Sequence, residues 1–218
     1  MVPSRREQLV DWVAIPGPER MGIAMGVLVE LYHYPVPGAA GIVGNLWAES
    51  EVVPNRIEGS ETATPMRAPD FDGVPRTFTL RDVMDRDPSR RRGPRQPGVG
   101  LAQWTRRDRR EGLFRHVFQG RAPGAAILLD MHAQIDYLVT ELRSRFRSTD
   151  LVLRHGGVSL EAATEEVVYN FQIPGSILGP KPAGPERHRL DRGHPAVIEE
   201  CARRRRWSGS ALGAYGLG

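Results

Sequence analysis

Three stretches of the chain combine residue types that could do chemistry. In the first, Gly44-Asn45-Leu46-Trp47-Ala48-Glu49-Ser50, one carboxylic acid closes an apolar run. Ala39, Val43 and Leu46 share one helical face, so a helix from about Ala39 to Ser50 buries that side and carries Glu49 in its last turn. The negative end of the helix dipole disfavours a carboxylate there. Partial burial beside Leu46 or Trp47 would raise its pKa further, as a general acid at neutral pH requires. On this stretch alone, an ordinary surface glutamate is the simpler account. Glu51 lies roughly 200° further round the helix and is expected to be a solvated charge.

The second stretch is Gly98-Val99-Gly100-Leu101-Ala102-Gln103-Trp104-Thr105. Its glycines let backbone approach a ligand closely. Gln103 can hydrogen-bond a sugar or its N-acetyl group, and Trp104 offers an apolar face. A Gly-rich turn with a core tryptophan fits the same residues. The third stretch, Val168-Tyr169-Asn170-Phe171-Gln172-Ile173-Pro174-Gly175, ends a helix with polar and aromatic groups before a Pro-Gly turn. A helix C-terminus with a buried tyrosine fits that one.

In this order the three stretches resemble the lysozyme-like superfamily, and within it the phage tail lysozyme family. Gly44, Asn45, Glu49 and Ser50 match the family's Gly-Asn-x-x-x-Glu-Ser; its following Asn-Pro appears in reversed order as Pro54-Asn55. Gly98, Gly100, Leu101, Gln103, Trp104 and Thr105 match Gly-x-Gly-Leu-x-Gln-Trp-Thr. The third motif, aromatic-Glu-x-Pro, reads Phe171-Gln172-Ile173-Pro174, with an amide in place of the acid. Tyr169-Asn170 is similar to the Ala-x-Tyr-Asn motif of lytic transglycosylases, and Arg192 corresponds to an arginine before the last helix. The resemblance covers about residues 20 to 206.

The resemblance implies a mainly α, lysozyme-like single domain with a glycan groove. It implies cleavage of the β-1,4 bond between N-acetylmuramic acid and N-acetylglucosamine in peptidoglycan. Glu49 would protonate the leaving oxygen, with Gln103, Trp104, Thr105, Tyr169 and Gln172 contacting the substrate. An inverting hydrolase places a base about 6.5–9.5 Å from the acid; Glu58, Glu61, Asp70 and Asp72 are the candidates. Without such a base, the substrate's own groups complete the reaction, as in a lytic transglycosylase. A catalytically inactive wall-binding or structural tail component stays open beside both. Phage-tail or contractile-injection-particle proteins are the expected partners.

The elements that must position these residues follow from periodicity. Residues 1–18 read as an arm or first helix around Leu9, Val10, Trp12 and Val13, broken by Pro16-Gly17-Pro18. Ile23, Val27, Leu28 and Leu31 predict a helix over about Glu19–Tyr34. Leu128, Met131, His132, Ile135, Leu138, Val139, Leu142 and Phe146 predict one from about Ala125 to Arg147. Ser159 caps a helix reaching about Asn170, and Pro195 opens a last helix to about Arg206. The catalytic domain therefore spans 19–207, and a Gly-rich tail, 208–218, is expected to be mobile or a docking segment. Residues 56–97 form a Pro-, Arg- and Asp-rich insertion with one short helix near Phe78–Met84. A loop that long tends to be functional or disordered; it is expected either to wall the groove, with Arg67, Arg76 and Arg81 meeting substrate carboxylates, or to be a mobile surface loop or a docking patch for a particle partner.

Composition bounds the rest. The 218 residues are 40% hydrophobic, enough for one sizeable core. The run Met21–Val29 is too short to cross a bilayer, and the N-terminus shows no secretory signal. Made in the cytoplasm without one, the protein would reach the cell wall as part of a particle. The lone cysteine, Cys201, cannot form an intrachain disulfide and is expected to pack as a small hydrophobe. The net charge is +4, nearly all from arginine, which suits an anionic partner such as a bacterial wall. The arginines are not interleaved with aromatics in a nucleic-acid module, so no nucleic acid is expected, and Arg203 to Arg206 read as a solvated helix end. The histidines show no metal-ligand spacing, and there is no P-loop or dinucleotide fingerprint; neither metal nor cofactor is expected.

Overall fold

A computed structural model describes residues 10–86, 91–96, 98–180 and 187–216. It is mainly α. Helix α1 (Gly17–Gly26) runs into a π-helical turn, Val27–Leu31, and α2 spans Val36–Ser50. A hairpin of β1 (Arg67–Pro69) and β2 (Pro75–Thr77) and helix α3 (Leu80–Met84) follow. Then come α4 (Arg107–Arg115), a 3-10 turn (Gly124–Leu129), α5 (Met131–Arg145) and α6 (Arg147–Leu153). Helix α7 (Leu160–Glu166) continues as a π-helical turn, Val167–Gln172, and α8 closes the chain over Pro195–Gly216. No described helix is long and apolar enough to cross a membrane.

Helix α2 lies at the centre, packed on α8, α7 and α1. Close approach requires its glycines. A Cβ on Gly41 would lie 2.7 Å from the Ala163 Cβ, and one on Gly44 would lie 2.3 Å from the Ser208 hydroxyl. Gly44 of the first stretch is thus the point where α8 crosses α2. Cys201 packs in a small cluster with Val168, Ile177 and Val197, where burial, and then the nearby charge of Glu165, pushes its thiol up.

Several boundaries differ from the sequence expectations. The expected helix from Ala125 starts at Met131, because the Asp130 side chain caps it by accepting the Ala133 N–H at 3.0 Å. His132, placed on its apolar stripe, is exposed. Helix α4 was missed because only Leu113 among its nine residues is a buried apolar one, so no apolar period exists to read. The N-terminal arm is only partly described, since residues 1–9 lie outside the described set. Residues 11–14 form a turn rather than a helix, and the Trp12 indole N–H anchors that turn to the Leu129 carbonyl at 2.9 Å. The segment from Ser208 is no free tail through Gly216: it is helical, with Ser208 and Ala211 buried against the rest of the domain.

The insertion has more structure than its composition suggested. The Asp70 carboxylate accepts the N–H groups of Asp72 (2.9 Å) and Val74 (3.0 Å), which turns the chain between the two strands. Thr79 and Asp82 cap α3 reciprocally. The insertion's ends are tied to the second stretch by Glu58 N–H to Gly98 O and Gly100 N–H to Arg56 O, both 2.9 Å. The Arg110 guanidinium reaches from α4 to the Val83 carbonyl at 2.6 Å; burial, then the charge of Arg86, brings its pKa down to about 10.

Candidate active site

The last turn of α2 is fixed by buried polar groups. Asn45 donates its amide to Gly41 O (2.8 Å) and Thr164 O (3.2 Å), and its carbonyl accepts from Arg204 Nη1 at 3.1 Å. Arg204 comes from α8 and its side chain is only 3% exposed. Its Nε pairs with Glu200 at 2.6 Å and its Nη2 with Glu49 Oε1 at 2.6 Å. Glu200 is itself buried; burial pushes its carboxyl up, but bonds from Arg203 and Arg204 outweigh that and hold it below the usual range. Ser50 donates to Leu101 O at 2.8 Å, joining the end of α2 to the second stretch.

Two expectations change here. Arg203 to Arg206 are not a solvated row, since Arg204 is a core residue and Arg205 pairs with Glu161. Glu49 was also expected among apolar groups; a guanidinium lies against it instead. Trp47 turns towards Trp207, with ring centroids 5.6 Å apart. Glu49 Oε2 has no partner among the described residues, and the side chain, 20% exposed, faces a cleft of about 690 Å³.

Gln103, Thr105, Glu58 and Gln172 line the same cleft. Gln103 sits at a φ of 47°, and its Nε2 donates to Gly100 O (2.9 Å) and Arg56 O (3.1 Å). Its donors are thereby used by backbone, leaving Oε1 as its acceptor. A Cβ on Gly98 would lie 2.9 Å from both that Oε1 and Glu58 Oε2, so glycine here keeps two cleft side chains in place. Ile173, at φ 45°, is a β-branched residue in the left-handed region, a strained position of the kind found at functional sites.

Residues 19–182 match the family described as Phage tail lysozyme. The chain belongs to the phage tail lysozyme family. That family points to a lysozyme-like peptidoglycan hydrolase acting on the bacterial cell wall. No curated protein and no solved structure matches the chain.

In this family member the remaining sequence candidates divide. Trp104 is not a groove residue: it is fully buried, and its indole N–H donates to Glu141 at 2.9 Å. A tryptophan needs only one polar partner to be content in a core, and Glu141 supplies it. Glu141 in turn clamps Arg109 through two bonds of 2.7 and 2.8 Å, so the guanidinium stacked over Phe171 stands at the cleft. Tyr169 also lies outside the cleft lining; its hydroxyl donates to Leu190 O at 3.0 Å. Arg192 stacks on Tyr169 and pairs with Glu166 rather than reaching the cleft. Gln172 does line it, and its Nε2 is a buried donor with no acceptor among the described residues.

Of the four candidate second carboxylates, only Glu58 lines the cleft, with Oε2 accepting the Gly98 N–H at 3.1 Å. Glu61 sits in a turn closed against Thr64, Asp70 pairs with Arg76 and Asp72 with Arg91. Arg67, Arg76 and Arg81 are likewise away from the cleft. Apart from Arg56 at the start of the insertion, the arginines that line it lie elsewhere in the chain. Arg204, which touches Glu49, carried a readable signal: it falls on the helical stripe of Val197, Cys201, Ser208 and Ala211. A charge on an otherwise buried face has a partner.

Proposed function

We propose that the chain is a muramidase that cuts the β-1,4 bond between N-acetylmuramic acid and N-acetylglucosamine, with Glu49 as general acid. The observation that carries this reading is that the acid of the first stretch, Gln103 and Thr105 of the second, and Gln172 of the third line one cleft. Oε1 accepts from Arg204, so the acid proton sits on Oε2, the oxygen without a partner among the described residues. Oε2 gives that proton to the glycosidic oxygen as the bond to the anomeric carbon breaks. Water adds to that carbon and passes its proton to Glu58. The Gly98 N–H orients one Glu58 oxygen and leaves the other for the water.

Glu49→Gln is expected to lower wall lysis by at least about 10²–10⁴ with an unchanged circular dichroism spectrum and Tm. Lysis at the parental rate would remove Glu49 from the mechanism, whereas no lysis by the unsubstituted chain would favour a wall-binding role without catalysis. A lytic transglycosylase is the second reading, favoured by Gln172 standing where the third motif of the family carries an acid. In that reading the sugar's own 6-hydroxyl attacks the anomeric carbon, and digests carry 1,6-anhydro ends visible by mass spectrometry. Delivery on a phage tail or contractile injection particle is part of this proposal, and the family supports it; co-sedimentation with assembled particles tests it.

A further inference from the structure

The cleft carries more positive charge than acid catalysis requires. Arg56, Arg106, Arg109, Arg145, Arg187 and Arg189 line it against two carboxylates, Glu49 and Glu58. Four of these arginines have acidic partners. Arg56 pairs with Glu51 at 2.9 Å, Arg109 with Glu141 at 2.7 Å, and Arg106 and Arg145 share Asp108.

Arg187 and Arg189 are different. Among the described residues no carboxylate pairs with either. Arg187 Nε donates to the Gly179 carbonyl at 2.9 Å. Arg189 Nη1 donates to Tyr169 O and Asn170 Oδ1, both at 2.9 Å, with its guanidinium 5.2 Å from the Tyr169 ring centre. Glu166, the acid nearest in this network, is occupied by Thr149, Asn170 and Arg192. Both guanidinium groups are thus held in place by neutral acceptors, and no carboxylate among the described residues neutralises either charge. Their remaining N–H groups keep the planar fork that suits a carboxylate. This also gives Tyr169 and Asn170 a task away from the substrate: they hold Arg189.

Resting on the glycosidase reading, we infer that Arg187 and Arg189 form a carboxylate-recognition edge of the cleft. The glycan it takes is anionic, with carboxylates on the lactyl branch of its muramyl sugars or on the peptide stems attached there, rather than a neutral chitin-like strand.

The test is a binding comparison on the full chain carrying Glu49→Gln, so that turnover cannot consume the ligand, with and without Arg187→Gln plus Arg189→Gln. The ligands are a neutral N-acetylglucosamine oligomer, a denuded glycan strand with free lactyl carboxylates, and a strand with its stems intact. The parent should bind at least one carboxylate-bearing strand about tenfold or more tighter than the neutral oligomer at low salt. That advantage should shrink as salt screens it. The double substitution should remove most of the advantage and leave the neutral oligomer within about twofold. Loss confined to the stem-bearing strand assigns the stem carboxylates; equal loss on both assigns the lactyl group. The inference is overturned if the parent binds all three alike, if it binds none, or if the double variant keeps the full advantage. Failure of the muramidase reading shows separately, as absence of lysis by the unsubstituted chain.

Discussion

On the α2–α8 side of the cleft the polar groups are buried and saturated. Asn45, Ser50, Glu200 and Arg204 are each under a tenth exposed and bond to one another, to backbone or to Glu49. On the insertion side the ion pairs stand in water: the side chains of Arg76, Arg81, Arg91 and Asp72 are all more than 60% exposed. The first arrangement holds one carboxylate by a 2.6 Å bond from a buried guanidinium and is costly to disturb. The second shapes a wall with backbone bonds and short turns, and surface pairs contribute little to its stability. The acid proposed to give up its proton is on the rigid side, and Glu58, proposed to receive one, sits on the other, oriented by the Gly98 N–H.

The sharpest way to break this contrast is Arg204→Ala. It leaves the buried Glu200 with only Arg203 and Ser176 as partners, and removing one member of a buried pair costs up to about 3–5 kcal/mol. Urea or thermal unfolding should report a loss of that size, with lysis falling as well. A change in Tm of under about 2 °C would mean that the network is not what fixes Glu49. Next in size is Glu58→Gln. As the base of a hydrolase it should lower lysis by about 10²-fold with little change in stability, whereas Glu61→Gln and Asp72→Asn stay near the parent. Unchanged lysis in Glu58→Gln would move the mechanism to the transglycosylase route.

The smallest effect is expected at Asp70. The Val74 N–H, then the Asp72 N–H and Arg76, hold its carboxyl below the usual range against desolvation. A depressed folded pKa contributes stability above the unfolded value of about 3.9, and that stability is lost as pH falls through the folded value. Protection of the hairpin amides, corrected for the intrinsic exchange rate at each pH, should therefore fall in acid, and Asp70→Asn should remove that pH-dependent part while leaving neutral-pH lysis within about twofold. Glu200, also depressed, has the same sign on the other side of the cleft, so acid should loosen both regions.

The helices with apolar stripes were legible because burial of one face leaves a period of 3.6 in the sequence. Helix α2 and the Ser159 cap were readable on that basis, the cap accepting the Ala162 N–H at 3.1 Å. The hairpin was not, because its strands are three residues long, too short to show alternation. Trp104 misled for a physical reason: the same ring can stack on a sugar or fill a core, and its partner Glu141 lies 37 residues away. Arg187 and Arg189 were invisible as site residues, since what sets them apart is that no carboxylate among the described residues pairs with them in space. The two glycine-bearing stretches were informative about place, but Gly44 and Gly98 act through close packing that only three-dimensional neighbours explain.

The bond between Arg204 and Glu49 spans 155 residues of chain. During synthesis, at about 5–20 residues per second, Glu49 is made roughly 8–30 seconds before the arginine that fixes it. Until translation reaches α8, the earlier helices have no Ser208 to fill the notch at Gly44 and no guanidinium to steady the acid. A nascent or prematurely terminated chain therefore carries every residue of the first two stretches and still lacks an assembled centre. The geometry around Glu49 is completed only once α8 has been made.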